Sequence, residues 1–121
     1  MRRFLGLVLL AAALGLGSPP VRAADDGKWL AQQYCSACHQ VTKEQALPPN
    51  FVVDTGTGPE EFEAPSFGAI ARKDRSEAAL RDRILHPYYP MREQQFVPEE
   101  LDAIIAYILA LSDADGSTLD W

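Results

Sequence analysis

Cysteine, histidine and methionine each occur only twice in these 121 residues, and that scarcity narrows the chemistry before any motif is read. A structural zinc site takes four ligands, usually as two pairs. Cys35, Cys38 and His39 leave only His86 and carboxylates to complete one, with no second cysteine pair. Basic charge is also short: 11 Lys and Arg stand against 17 Asp and Glu, with no basic stripe, which argues against a nucleic-acid partner. The apolar run from Phe4 to Gly17 counts 14 residues, below the ~20 that a membrane-spanning helix needs. No nucleophile stands beside a base, and no Gly-rich phosphate loop is present, so nothing suggests a substrate site or an enzyme.

What is present begins with an export signal. Arg2 and Arg3 precede the apolar run, Ser18-Pro19-Pro20 breaks it, and Val21-Arg22-Ala23 supplies the small-residue end. Cleavage is expected after Ala23, which divides the chain into a signal peptide, 1–23, and a single domain, 24–121. Losing Arg2, Arg3 and Arg22 leaves eight basic and 17 acidic side chains, a net charge of −9. Such acidity suits steering toward basic patches on partner proteins. The remaining 98 residues hold little core to spare. A large buried cofactor would supply apolar surface that the chain itself lacks.

Both cysteines and one histidine fall in one stretch, Cys35-Ser36-Ala37-Cys38-His39-Gln40. A disulfide between cysteines three apart is open to an exported chain but closes too short a loop to stabilise much. A thioredoxin-like dithiol follows a strand, whereas the residues before Cys35 read as helix. Covalent haem attachment gives every residue a task. The two thiols add to the two vinyl groups of one porphyrin edge, and the histidine that follows places its imidazole on the iron. In an exported chain the spacing therefore points to haem c, one per chain.

The segment "GKWLAQQYCSACHQV" resembles the opening of a class I cytochrome c, a family of small monohaem electron carriers. "LDAIIAYILAL" is similar to that family's terminal helix, whose alanine-tyrosine pair, here Ala106 and Tyr107, packs on the first helix. The resemblance implies an all-α fold of three to four helices wrapped around one covalently bound haem. It also implies that Gly27 admits a close crossing by the last helix, and that Pro65, in "APSFGAIAR", offers its carbonyl to the ring N–H of His39. That acceptor would fix the imidazole tautomer and raise its basicity. Where the family often has an aromatic, four residues before the first cysteine, this chain has Ala31.

The pattern predicts a first helix from Gly27 to about Cys38, with Trp29, Leu30 and Tyr34 as candidate buried positions. Gln40 to Ala64, rich in proline, glycine and acids, reads as a long loop in which Phe51, Val52 and Val53 form a short extended piece against the haem edge. Ser66 caps a short helical turn through Phe67, Ile70 and Ala71. Ser76 caps a third helix that runs to about Leu85, with Leu80 and Ile84 facing inward. Pro98, Glu99 and Glu100 open the last helix, whose stripe is Leu101, Ile104, Ile105 and Ile108. The tail beyond Leu111 is polar.

Met91, the sole methionine after signal removal, lies in the proline-rich stretch "HPYYPMREQQFVP". It stands sixteen residues before Tyr107, the spacing the resemblance implies for the ligand opposite His39, although Arg92 follows where the family usually has proline. His86 is the competing ligand, but a histidine at a helix C-terminus is commonly placed there by the helix dipole. Arg72 is a candidate partner for a haem propionate; Trp29, Phe67, Tyr88 and Tyr89 are candidate haem neighbours or plain core. His/Met ligation saturates the iron and makes an electron carrier for periplasmic or membrane redox proteins. The alternatives are a haem subunit docked permanently in a dehydrogenase or oxidase complex, through the acidic 40–64 loop, and a five-coordinate haem enzyme or sensor.

Overall fold

The computed structural model describes residues 21–73 and 76–113. Most of the expected export segment and the polar tail lie outside the described residues. In chain order the elements are α1 Val21–Tyr34, β1 Phe51–Asp54, β2 Pro59–Phe62, α2 Phe67–Lys73, α3 Glu77–Leu85 and α4 Pro98–Asp113. None of the described helices is long and apolar enough to cross a membrane.

Helix α4 organises the rest, packing against α1, α2 and α3. Its expected stripe of Leu101, Ile104, Ile105 and Ile108 is buried, joined by Ala103 and Tyr107. Pro98 stands first in the helix, where a missing N–H costs nothing. Glu100 reaches back to accept from the Val97 N–H at 3.2 Å, half of a capping box. Around α4 gather Leu30 and Ala31 of α1, Phe67 and Ala71 of α2, Leu80 of α3, and Val41 from the loop.

Gly27 marks the crossing of α1 and α4. A Cβ there would collide with the Ala103 carbonyl and crowd the Tyr107 Cβ, so only glycine permits the approach. At Gly27 itself it is Ala103 and Tyr107 that close over the first helix. The buried face of α1 runs through Gly27, Leu30 and Ala31. Trp29 and Tyr34 do not share it: they are 58% and 46% exposed, which corrects the expectation that they are core. Tyr34 instead meets Phe96 edge to face at 5.6 Å.

The first helix starts and stops earlier than predicted, ending at Tyr34 and passing into tight turns over Cys35–Cys38. The other caps follow expectation. Ser66 Oγ accepts from the Ala69 N–H at 3.0 Å, and Ser76 Oγ from the Ala79 N–H at 3.3 Å. Arg81 of α3 bridges Glu77 and, on α4, Asp102.

The short extended piece expected at Phe51–Val53 is strand β1, and the 40–64 loop gains a second strand, so the fold is mostly helical with one hairpin added. Phe51 to Phe62 form an antiparallel hairpin in the register Phe51↔Phe62, Val52↔Glu61, Val53↔Glu60 and Asp54↔Pro59. Its turn is made by Asp54, whose Oδ1 accepts from the Gly56 N–H at 2.9 Å, and by Gly56 and Gly58 at φ of 82° and 133°. Phe51 and Phe62 stack across the strands, and Phe62 meets Tyr89 edge to face. Among the described residues the architecture is therefore four helices with one appended two-stranded sheet.

Candidate functional site

The turn after α1 is built by backbone bonds that continue the helical winding. The Cys35 N–H donates to Ala31 O at 2.8 Å, and the His39 N–H to Cys35 O at 2.9 Å. Cys35 and Cys38 are both free thiols, Cys35 half-buried and Cys38 exposed. Burial, reinforced by the neighbouring Cys38, pushes the Cys35 thiol up to about 11. Among the described residues no three His, Cys, Asp or Glu side chains converge.

His39 Nδ1 lies 2.7 Å from the Pro65 carbonyl oxygen. A carbonyl only accepts, so Nδ1 carries the proton and, in the neutral ring, Nε2 keeps its lone pair. The imidazole also leans on Phe67, with ring centroids 5.8 Å apart. Beyond His39 the chain is pinned on both sides. The Phe67 N–H donates to Gln40 O at 2.9 Å, and the Tyr107 hydroxyl to Val41 O at 2.6 Å. Burial, with the charge of Glu44 nearby, pushes the Tyr107 hydroxyl up to about 12. Helices α2 and α4 therefore both anchor the two residues that follow the histidine.

Cys35, Cys38, His39 and Pro65 are thus brought into one cluster. Met91 occupies a different place, half-buried in the connection between α3 and α4, where its N–H closes a turn onto Tyr88 O at 2.9 Å. No hydrogen bond or ring contact among the described residues links it to the cluster. Tyr88 and Tyr89 beside it are exposed, Tyr88 under the Arg83 guanidinium at 4.0 Å. His86 is engaged elsewhere, its Nδ1 3.0 Å from Asp82 Oδ1 one helical turn back. Arg72 is exposed near the end of α2. Two side-chain tasks escaped the sequence reading, that of Gln45 and that of the hydroxyl of Tyr107, a residue the terminal-helix motif had singled out only for packing. Gln45 braces the turn through its side chain, and the Tyr107 hydroxyl holds Val41; neither leaves a periodic or motif signal.

A histidine with its outer nitrogen free, directly after the second of two thiols spaced Cys-x-x-Cys, is the pattern of a c-type haem attachment site in a small helical domain. The chain matches the Cytochrome c family model over residues 24–112 and belongs to that family. Searches of curated proteins and of solved structures returned no match. The cofactor is accordingly haem c, covalently bound, and its function is haem-based electron transfer with redox protein partners. The residues present fit the group. The only two cysteines have the required spacing, the His39 tautomer suits a metal ligand, and Leu85, Tyr88 and Tyr89 leave apolar surface exposed ahead of Met91.

Proposed function

We propose that the protein is an exported monohaem cytochrome that carries single electrons between periplasmic or membrane redox proteins, and that it is not an enzyme. The observation that supports this most is the hydrogen bond between His39 and the Pro65 carbonyl. It orients the ring, makes the imidazole more basic and leaves Nε2 for the iron. When bound, the haem supplies a one-electron iron couple.

Each side chain then has a task. Cys35 and Cys38 would hold the porphyrin by thioethers. His39 and Met91 would ligate its iron. A thioether opposite an imidazole saturates the metal, favours the ferrous form and denies small oxidants a coordination position. The acidic surface, with Glu60 and Glu61 exposed on the hairpin, would steer the carrier toward basic faces of its partners.

Optical spectra of the holoprotein, oxidised and reduced, test the assignment. The ferric wild type is expected to show the sulfur-to-iron charge-transfer band, and Met91→Ala to lose it. A wild type that lacks the band and binds carbon monoxide readily would overturn the carrier reading and bring forward a haem enzyme or sensor.

A second reading, a haem subunit permanently docked in a larger complex, is favoured by the exposure of Leu47 and Val52 around the hairpin. Co-purification of a stoichiometric dehydrogenase or oxidase would establish it.

A further inference from the structure

The side-chain amide of Gln45 is spent entirely on the backbone of the haem-attachment turn. Its Nε2 donates to Ser36 O at 3.0 Å and to His39 O at 3.1 Å, and its Oε1 accepts from the Val41 N–H at 2.9 Å. The residue is itself fixed at both backbone ends. Its N–H donates to Thr42 O at 3.2 Å, and its carbonyl accepts from Gln40 Nε2 at 3.2 Å.

Two carbonyls of the turn depend on this amide. The turn's own backbone bonds engage the N–H groups of Cys38 and His39, and no backbone N–H among the described residues reaches Ser36 O or His39 O. A primary amide brings two donors and one acceptor on one planar group. Glutamate at this position accepts only, and lysine donates only. The demand here is for both at once, at ordinary hydrogen-bond lengths.

The His39 ring reaches an acceptor 26 residues further along the chain. That reach depends on where the His39 backbone is held. We propose that Gln45 is a positioning residue for the proximal histidine: by clamping the carbonyls of Ser36 and His39 it fixes the backbone from which the ring meets Pro65. The inference rests on His39 being the iron ligand. Without the clamp the two carbonyls turn toward water and the ring-to-carbonyl hydrogen bond lengthens. A weaker bond at Nδ1 makes the imidazole less basic, which disfavours the ferric form and raises the reduction potential.

The test compares wild-type holoprotein with Gln45→Leu and Gln45→Glu, using Ile105→Val, a fully buried position of α4, as a core variant that destabilises without removing a hydrogen bond. Three quantities are read: the hyperfine-shifted imidazole and haem-methyl resonances of the ferric protein, the midpoint potential, and the thermal midpoint. Both Gln45 variants are expected to shift the haem-methyl pattern and raise the potential, while Ile105→Val lowers only the thermal midpoint. Gln45→Glu keeps the acceptor for Val41, so it carries the test should Gln45→Leu not fold. Gln45 variants that lose thermal stability but keep the wild-type resonances and potential would overturn the inference. A wild type without shifted resonances from His39 would overturn the axial-ligand reading and the inference with it.

Discussion

The hydroxyl of Tyr107, on the last helix, donates at 2.6 Å to the carbonyl of Val41, two residues beyond His39. The bond spans 66 positions of sequence and is buried. It ties α4 to the segment that carries His39, so the packing of that helix and the placement of the histidine share one contact.

Tyr107→Phe leaves a buried carbonyl without its donor, at an expected cost of about 1–3 kcal/mol. The variant should unfold at lower denaturant with an unchanged slope. The same bond predicts a pH dependence. The hydroxyl is raised from 10.0 to about 12 in the folded state, so the folded chain holds this proton more tightly than the unfolded one. Its stabilising contribution is complete below pH 10 and declines as the pH rises toward 12. Chemical denaturation of wild type and Tyr107→Phe through this range should show the wild-type advantage shrinking; a constant difference would refute it.

Gly27→Ala sets two opposed effects against each other. Alanine gains about 1 kcal/mol of helix propensity. Overpacking against the Ala103 carbonyl costs about 1–3 kcal/mol or more, because a backbone group cannot rotate away. The clash wins, and a lowered thermal midpoint is expected. A more stable variant would show that α1 and α4 can separate freely.

Pro65→Ala retains the acceptor, since His39 bonds to the backbone carbonyl and not to the pyrrolidine ring. A loss of about 0.4–1 kcal/mol from added unfolded-state entropy is expected, with the visible spectrum preserved. A changed axial-ligand signature in this variant would mean that the ring itself shapes the site.

His86→Ala removes an exposed partner of Asp82 and no more. Stability should change by less than about 0.5 kcal/mol, and the oxidised and reduced spectra should match wild type. A new high-spin signal would identify His86 as a ligand after all.

The parts of the structure legible in the sequence are those where local pattern and long-range packing agree. Leu101, Ile104, Ile105 and Ile108 repeat at the helical period on the helix that all others touch, so the period reports the core directly. Ser66 and Ser76 were readable because a cap is a local event. "CSACHQ" carries its own chemistry in its spacing. Trp29 and Tyr34 misled because the buried face of α1 is set by where α4 crosses Gly27, which the polar sequence of that helix does not reveal. The extended piece at Phe51–Val53 was legible, but its partner strand Pro59–Phe62 was hidden, being four residues long with acids opposite Val52 and Val53, too short for alternation to register. Gln45 was invisible for another reason: one polar side chain among many becomes a brace only when the turn it serves has formed.

Because α1 finds its partner in α4, the chain cannot complete its interior until its final segment is delivered. A polypeptide emerging N-terminus first presents Cys35 and Cys38 long before Tyr107 arrives to close over Val41. Until that helix docks, the segment that carries the two thiols lacks its contact at Val41, so the attachment turn takes its final place only when α4 does.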